Sequence, residues 1–98
     1  MFAVDWNPDG KFLVISDPFI IFEWNGQTLS EVVSTAEQPR GVKWSPDGKY
    51  LAKVASAGIS IYQWDGLTLT EIETESYGTY AEGASWSPDG NYLAIAGN

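Results

Sequence analysis

The sequence predicts an all-β protein assembled from one repeated antiparallel unit. Three observations carry this: a Trp-Asn/Ser-Pro-Asp-Gly string that occurs three times, a second aromatic motif that occurs twice between the copies, and no helical period with caps anywhere. The three tryptophans of the first string are Trp6, Trp44 and Trp86, 38 and then 42 residues apart.

Each copy of the first string reads as a hairpin. In Asn7-Pro8-Asp9-Gly10, Ser45-Pro46-Asp47-Gly48 and Ser87-Pro88-Asp89-Gly90, proline fixes φ at the second position, aspartate tolerates the third, and glycine takes the left-handed fourth. Such a turn followed by a left-handed glycine joins two strands through a bulged loop. The second motif, Phe19-Ile20-Ile21-Phe22-Glu23-Trp24-Asn25-Gly26, is matched by Ile59-Ser60-Ile61-Tyr62-Gln63-Trp64-Asp65-Gly66. Its closing Asn-Gly and Asp-Gly predict two-residue hairpins. Ten strands follow, near residues 2–6, 11–16, 19–24, 27–33, 41–45, 49–55, 59–64, 68–74, 83–86 and 91–96.

Four short antiparallel strands about every 40 residues is the blade of a β-propeller. Both faces of a blade are covered by its neighbours, which explains the continuous apolar runs Phe12–Ile15 and Phe19–Phe22. A two-layer sandwich would bury strands too, but would not repeat itself every 40 residues. Residues 1–98 are therefore expected to form a single propeller-blade domain, with repeats over about 1–40 and 41–82 and a half blade at 83–98. That is about 2.5 blades per chain.

The Trp-Ser-Pro-Asp-Gly-Lys-Tyr-Leu-Ala string at 44–52 and the Ile-Tyr-Gln-Trp-Asp string at 61–65 resemble the WD-repeat and WD-like β-propeller family, and the resemblance spans essentially the whole chain. It implies propeller blades, and with neither His nor Cys for catalysis a non-enzymatic, self-associating binding or scaffold role is expected. The family's Gly-His before the inner strand is replaced by Arg40-Gly41 and Glu82-Gly83, and its Trp-Asp pair stands at Trp64-Asp65 but is Trp24-Asn25 in the first copy. With no histidine, the family's histidine hydrogen-bond network cannot form, so aromatic packing is expected to hold the blades.

Propellers close with four to eight blades. Two and a half leave apolar end faces and an open hairpin edge, so the ring is expected to be completed by oligomerisation, the chain being its own partner. The alternatives are a lectin-like propeller that binds a glycan, or a fragment of a longer propeller with no activity of its own.

Composition limits the rest. Thirteen acidic residues against five basic give a net charge of −8, which repels nucleic acid and anionic membranes. The absence of cysteine excludes disulfides and thiolate metal sites and points to the cytoplasm, and no signal peptide or membrane-spanning run is seen. No catalytic, cofactor-binding or metal-binding residue is assigned. A Ser45 dyad with Lys43 or Lys49, a carboxylate pair among Asp5, Glu31, Glu71 and Glu73, and a calcium loop from Asp5 to Ser16 are each better read as turn residues or solvated strand faces. Recurring tryptophans favour packing over ligand stacking. Any ligand grip is expected in the non-repeating loop with Tyr77 and Tyr80, or in the matching loop Ser34 to Arg40.

Overall fold

The computed structural model describes residues 3–35, 37–55, 58–76 and 81–97. Its strands are β1 (Val4–Trp6), β2 (Phe12–Ser16), β3 (Phe19–Trp24), β4 (Leu29–Ser34), β5 (Gly41–Trp44), β6 (Tyr50–Ala55), β7 (Gly58–Trp64), β8 (Leu69–Ser76), β9 (Ala81–Trp86) and β10 (Leu93–Gly97). They form two four-stranded meanders, β1-β2-β3-β4 and β5-β6-β7-β8, and a two-stranded β9-β10 sheet. Every pairing is antiparallel. Among the described residues no helix is long and apolar enough to cross a membrane.

The three prolyl turns adopt the expected geometry. Gly10, Gly48 and Gly90 have φ of 75°, 75° and 78°. Each glycine N–H donates to the carbonyl of the first turn residue, Asn7, Ser45 or Ser87, at 2.8 to 2.9 Å. Ser45 and Ser87 repeat one side-chain network: the hydroxyl donates to Asp47 or Asp89 at 2.6 Å and accepts from the N–H of Tyr50 or Tyr92 at 3.0 Å.

The other two loops differ from the expected two-residue hairpins. Trp24 pairs with Leu29 and Trp64 with Leu69, so each loop holds four residues. Only the glycines are left-handed, Gly26 at φ 97° and Gly66 at 98°, and among the described residues no other residue type has positive φ. The reason is the side chain before the glycine. Asn25 Oδ1 accepts from the N–H groups of Gln27 and Thr28, and Asp65 Oδ1 from those of Leu67 and Thr68. This turn satisfies its amides without the second left-handed residue that a two-residue loop of this type demands.

Blades stack face to face. Phe12, Val14, Phe19 and Ile21 of the first blade share a core with Val42, Trp44, Leu51 and Trp64 of the second. Phe12 meets Trp64 edge-on with centroids 5.1 Å apart, and Trp44 lies 5.7 Å from Trp64. Ala52, Val54 and Ile59 form the next interface, with Ala84, Trp86 and Leu93 against them. A fully buried side chain of this size contributes about 1.5–3 kcal/mol, so these seams rather than local propensity hold the stack together. The expected aromatic packing is present. The Trp64 indole N–H is buried with no hydrogen-bond partner among the described residues.

Candidate functional site

The loop after β4 returns the chain to the inner strand β5, and it is fastened at both ends. Phe19 N–H donates to the Glu37 carbonyl at 2.9 Å, and Arg40 N–H to the Val54 carbonyl at 2.7 Å. Between the loop and the two blades opens a cleft of about 490 Å³, lined by Asp17, Glu37, Gln38, Arg40 and Lys53 among others. The Ser34-to-Arg40 loop named from the sequence thus borders a real concavity. Its counterpart with Tyr77 and Tyr80 lies outside the described residues.

Lys53 forms the cleft's inner wall. Its side chain is only 9% exposed, yet its ammonium reaches both Glu37 carboxylate oxygens at 2.9 and 3.0 Å. The same Nζ lies 5.5 Å from the Phe19 ring centroid and 5.2 Å from that of Tyr62, within cation–π range. Burial pulls the Lys53 pKa down, but Tyr62 and Glu37 together outweigh it and leave it above the usual 10.5. Lys53 is therefore a fixed cation tying the linker of one blade to the face of the next. Sequence reading passed over it. The signal was there, since the same register position holds Ile15 and Ile95 in the other two copies.

The candidates for chemistry are brought into structural roles instead. Ser45 is buried rather than at the surface, and its hydroxyl is committed to the Asp47 turn, where it holds that carboxyl below its usual 3.8. Lys43 lies 3.9 Å from Asp5. Asp5 is not a solvated strand residue: its Oδ2 accepts from the Trp44 N–H at 2.8 Å, and its carbonyl from the Trp44 indole at 3.2 Å. Glu31, Glu71 and Glu73 are exposed on the outermost strands of two different blades. In the would-be calcium loop, Asp9 accepts from the Lys11 N–H, while Ser16 is buried at the far end of β2, accepting from the Ala3 N–H. Among the described residues, no group of three or more carboxylates is placed to share a metal.

A second concavity, of about 280 Å³, crosses the inner strands β1, β5 and β9 past Trp6, Trp44 and Trp86. Trp44 is 4% exposed and packs between blades, whereas Trp6 is 48% exposed. Equivalent tryptophans thus have unequal surroundings.

Comparison with known proteins adds the decisive observation. Residues 21–65, from the third strand of one blade through the third strand of the next, match the WD domain, G-beta repeat. A WD repeat thus matches within a stack of propeller-like blades. Among solved structures, the blades resemble a candidate 6-phosphogluconolactonase from Bacteroides fragilis, with a TM-score of 0.82 and 27% identity over 95% of this chain and 30% of that one. They also superpose on a chain of the mitotic checkpoint complex (TM-score 0.76, 24% identity, 96% of this chain and 32% of that one). Hydrazine synthase of Kuenenia stuttgartiensis gives 0.73 and 24%, over 93% of this chain and 28% of that one. The last two likenesses are of fold. The chain spans less than a third of the length of each of these proteins. No curated protein matches the sequence.

Proposed function

We propose that these WD-type blades form a non-enzymatic interaction and scaffold module, which associates with further copies of itself to complete a ring and offers the Glu37–Lys53 cleft to a protein partner. The observation that carries the reading is the exposed apolar face of the first blade, where Val4 is 63% and Trp6 48% exposed. Exposed apolar faces of that kind drive association. A chain without histidine or cysteine, whose buried serine is engaged in a turn, offers little for nucleophilic or general-base chemistry. Freedom from cysteine suits a reducing compartment, and the cytoplasm is the proposed location.

The test is absolute mass by light scattering behind a sizing column, across a wide concentration range. A discrete species of two or more chains supports ring completion. A folded particle of 10.7 kDa at every concentration overturns it.

A further inference from the structure

The internal seams follow a rule that specifies what would cover the first blade. At the first seam, the Trp44 indole N–H donates to the carbonyl of Asp5, the residue before Trp6, at 3.2 Å. At the second, the Trp86 indole donates to the carbonyl of Lys43, the residue before Trp44, also at 3.2 Å, and its ring lies 6.5 Å from Tyr50. Each blade therefore offers a carbonyl on its inner strand and an aromatic ring at the start of its second strand. At both seams a tryptophan of the next blade engages the carbonyl. At the second seam the same tryptophan also covers the ring, whereas at the first the Phe12 ring meets Trp64.

Among the described residues neither end of this series is covered. The Trp6 indole has no hydrogen-bond partner among the described residues, and the residue is 48% exposed, where its equivalent Trp44 is 4% exposed. Its neighbours on that face behave alike: Val4 is 63% and Trp24 37% exposed, against 6% and 7% for the equivalent Val42 and Trp64. Leu13 is half-buried, where the equivalent Leu51 is fully buried. At the other end, Tyr92, the equivalent of Tyr50, is 75% exposed, and Ser85 stands where Asp5 and Lys43 supply their carbonyls.

We infer that a second copy of this chain covers the first-blade face, its β9–β10 hairpin lying against β1–β3, with Trp6 of one copy donating to the Ser85 carbonyl and stacking on Tyr92 of the other. The occupant is a second copy because the exposed face and the hairpin that complements it belong to one sequence and continue an interface the chain already makes twice. The contact is head to tail, so one copy uses its first blade and the other its last. The inference rests on the self-association proposed above and gives it a surface and a polarity.

Complementation between two blocked variants tests it. Trp6→Arg blocks the first-blade face and Tyr92→Arg blocks the hairpin. Both side chains are exposed, so both variants should fold, which near-ultraviolet circular dichroism checks. Each variant alone should need at least ten-fold higher concentration than the wild type to associate, as expected when an aromatic anchor is lost. An equimolar mixture, retaining one intact face and one intact hairpin, should give a species of two chains and no larger. Trp6→Phe, which keeps a ring but loses the N–H, should weaken association less than Trp6→Arg. If the wild type associates and both blocked variants associate equally well, this seam is wrong while self-association stands. If the variants fail to associate even when mixed, head-to-tail polarity is wrong. A strictly monomeric wild type removes both readings.

Discussion

Asp5 grips Trp44 twice, accepting the backbone N–H on its carboxylate at 2.8 Å and the indole N–H on its carbonyl at 3.2 Å. Trp64, in the same core, has no such partner. Two tryptophans buried side by side thus differ in whether the indole donor is satisfied. Trp44→Phe forfeits a hydrogen bond worth about 0.5–1.5 kcal/mol, whereas Trp64→Phe removes a donor whose burial costs about 1–3 kcal/mol. Urea unfolding at matched protein concentration should therefore find Trp64→Phe milder by about 1.5–4.5 kcal/mol. Equal losses would mean that Trp64 donates to a group not seen here.

The turns of adjacent blades interlock. Asn7 Nδ2 donates to the Gly48 carbonyl at 3.0 Å, and a Cβ on Gly48 would lie 2.5 Å from Asn7 Oδ1. Gly10 has the same φ but nothing within 4 Å of its Cβ position. Gly10→Ala should cost about 1–2 kcal/mol for the left-handed backbone alone. Gly48→Ala should cost more than that, and the excess should shrink when Asn7→Ala makes room. A double-mutant cycle by thermal unfolding measures this coupling. Additive losses would contradict the interlock.

Lys53 and Glu37 yield an asymmetric prediction. Glu37→Gln strands a buried ammonium and should destabilise, by about 1–3 kcal/mol because Glu37 itself is half exposed. Lys53→Ile removes the charge and restores the residue type of the other two copies, so it should be nearly neutral or stabilising. The pH dependence has a definite sign. A folded-state pKa above the ordinary 10.5 means this contribution is complete below pH 10.5 and is lost as pH rises through the folded value. Wild type should therefore lose stability more steeply than Lys53→Ile above that pH, as melting temperatures in alkaline buffers would reveal.

At the acid end, Asp47 and Asp89 are held below 3.8 first by the hydroxyls of Ser45 and Ser87, and Asp65 by the backbone amides of Thr68 and Leu67. Carboxyls depressed in the folded state stabilise it above about pH 4 and cease to as pH falls through their folded values. The triple Asp→Asn variant should show a flatter melting temperature between about pH 2 and pH 5 than the wild type. An unchanged acid limb would mean these turns persist in the unfolded chain.

Most of the fold was legible because its instructions are local. Proline, aspartate and glycine at fixed offsets mark the turns, and alternating β-branched and aromatic residues mark the strands between them. What escaped the sequence depends on partners distant along the chain. Asp5 reads as one more surface acid until Trp44 is laid across it, and its carbonyl, the acceptor in the seam, is invisible to side-chain reasoning. The four-residue Asn25 and Asp65 loops escaped for a subtler reason, since Asn-Gly serves either loop and the backbone hydrogen bonds choose. The Ser34 to Arg40 loop was named only as the counterpart of the Tyr77 and Tyr80 loop, and Lys53, the most distinctive group in its cleft, needed the three copies compared column by column.

The stacked arrangement has a thermodynamic consequence. The central blade is clasped on both faces, while the β9–β10 hairpin is anchored on one side, through Trp86 and a small patch formed by Ala84 and Leu93. Stability in such an array is transmitted from neighbour to neighbour, as in a one-dimensional chain of coupled units. Amide protection should therefore peak in β6 and decline outward, and the hairpin should open and close many times for each global unfolding event. Whatever clamps that hairpin shut raises protection at Leu51 and Val54 as well as in the strands it touches.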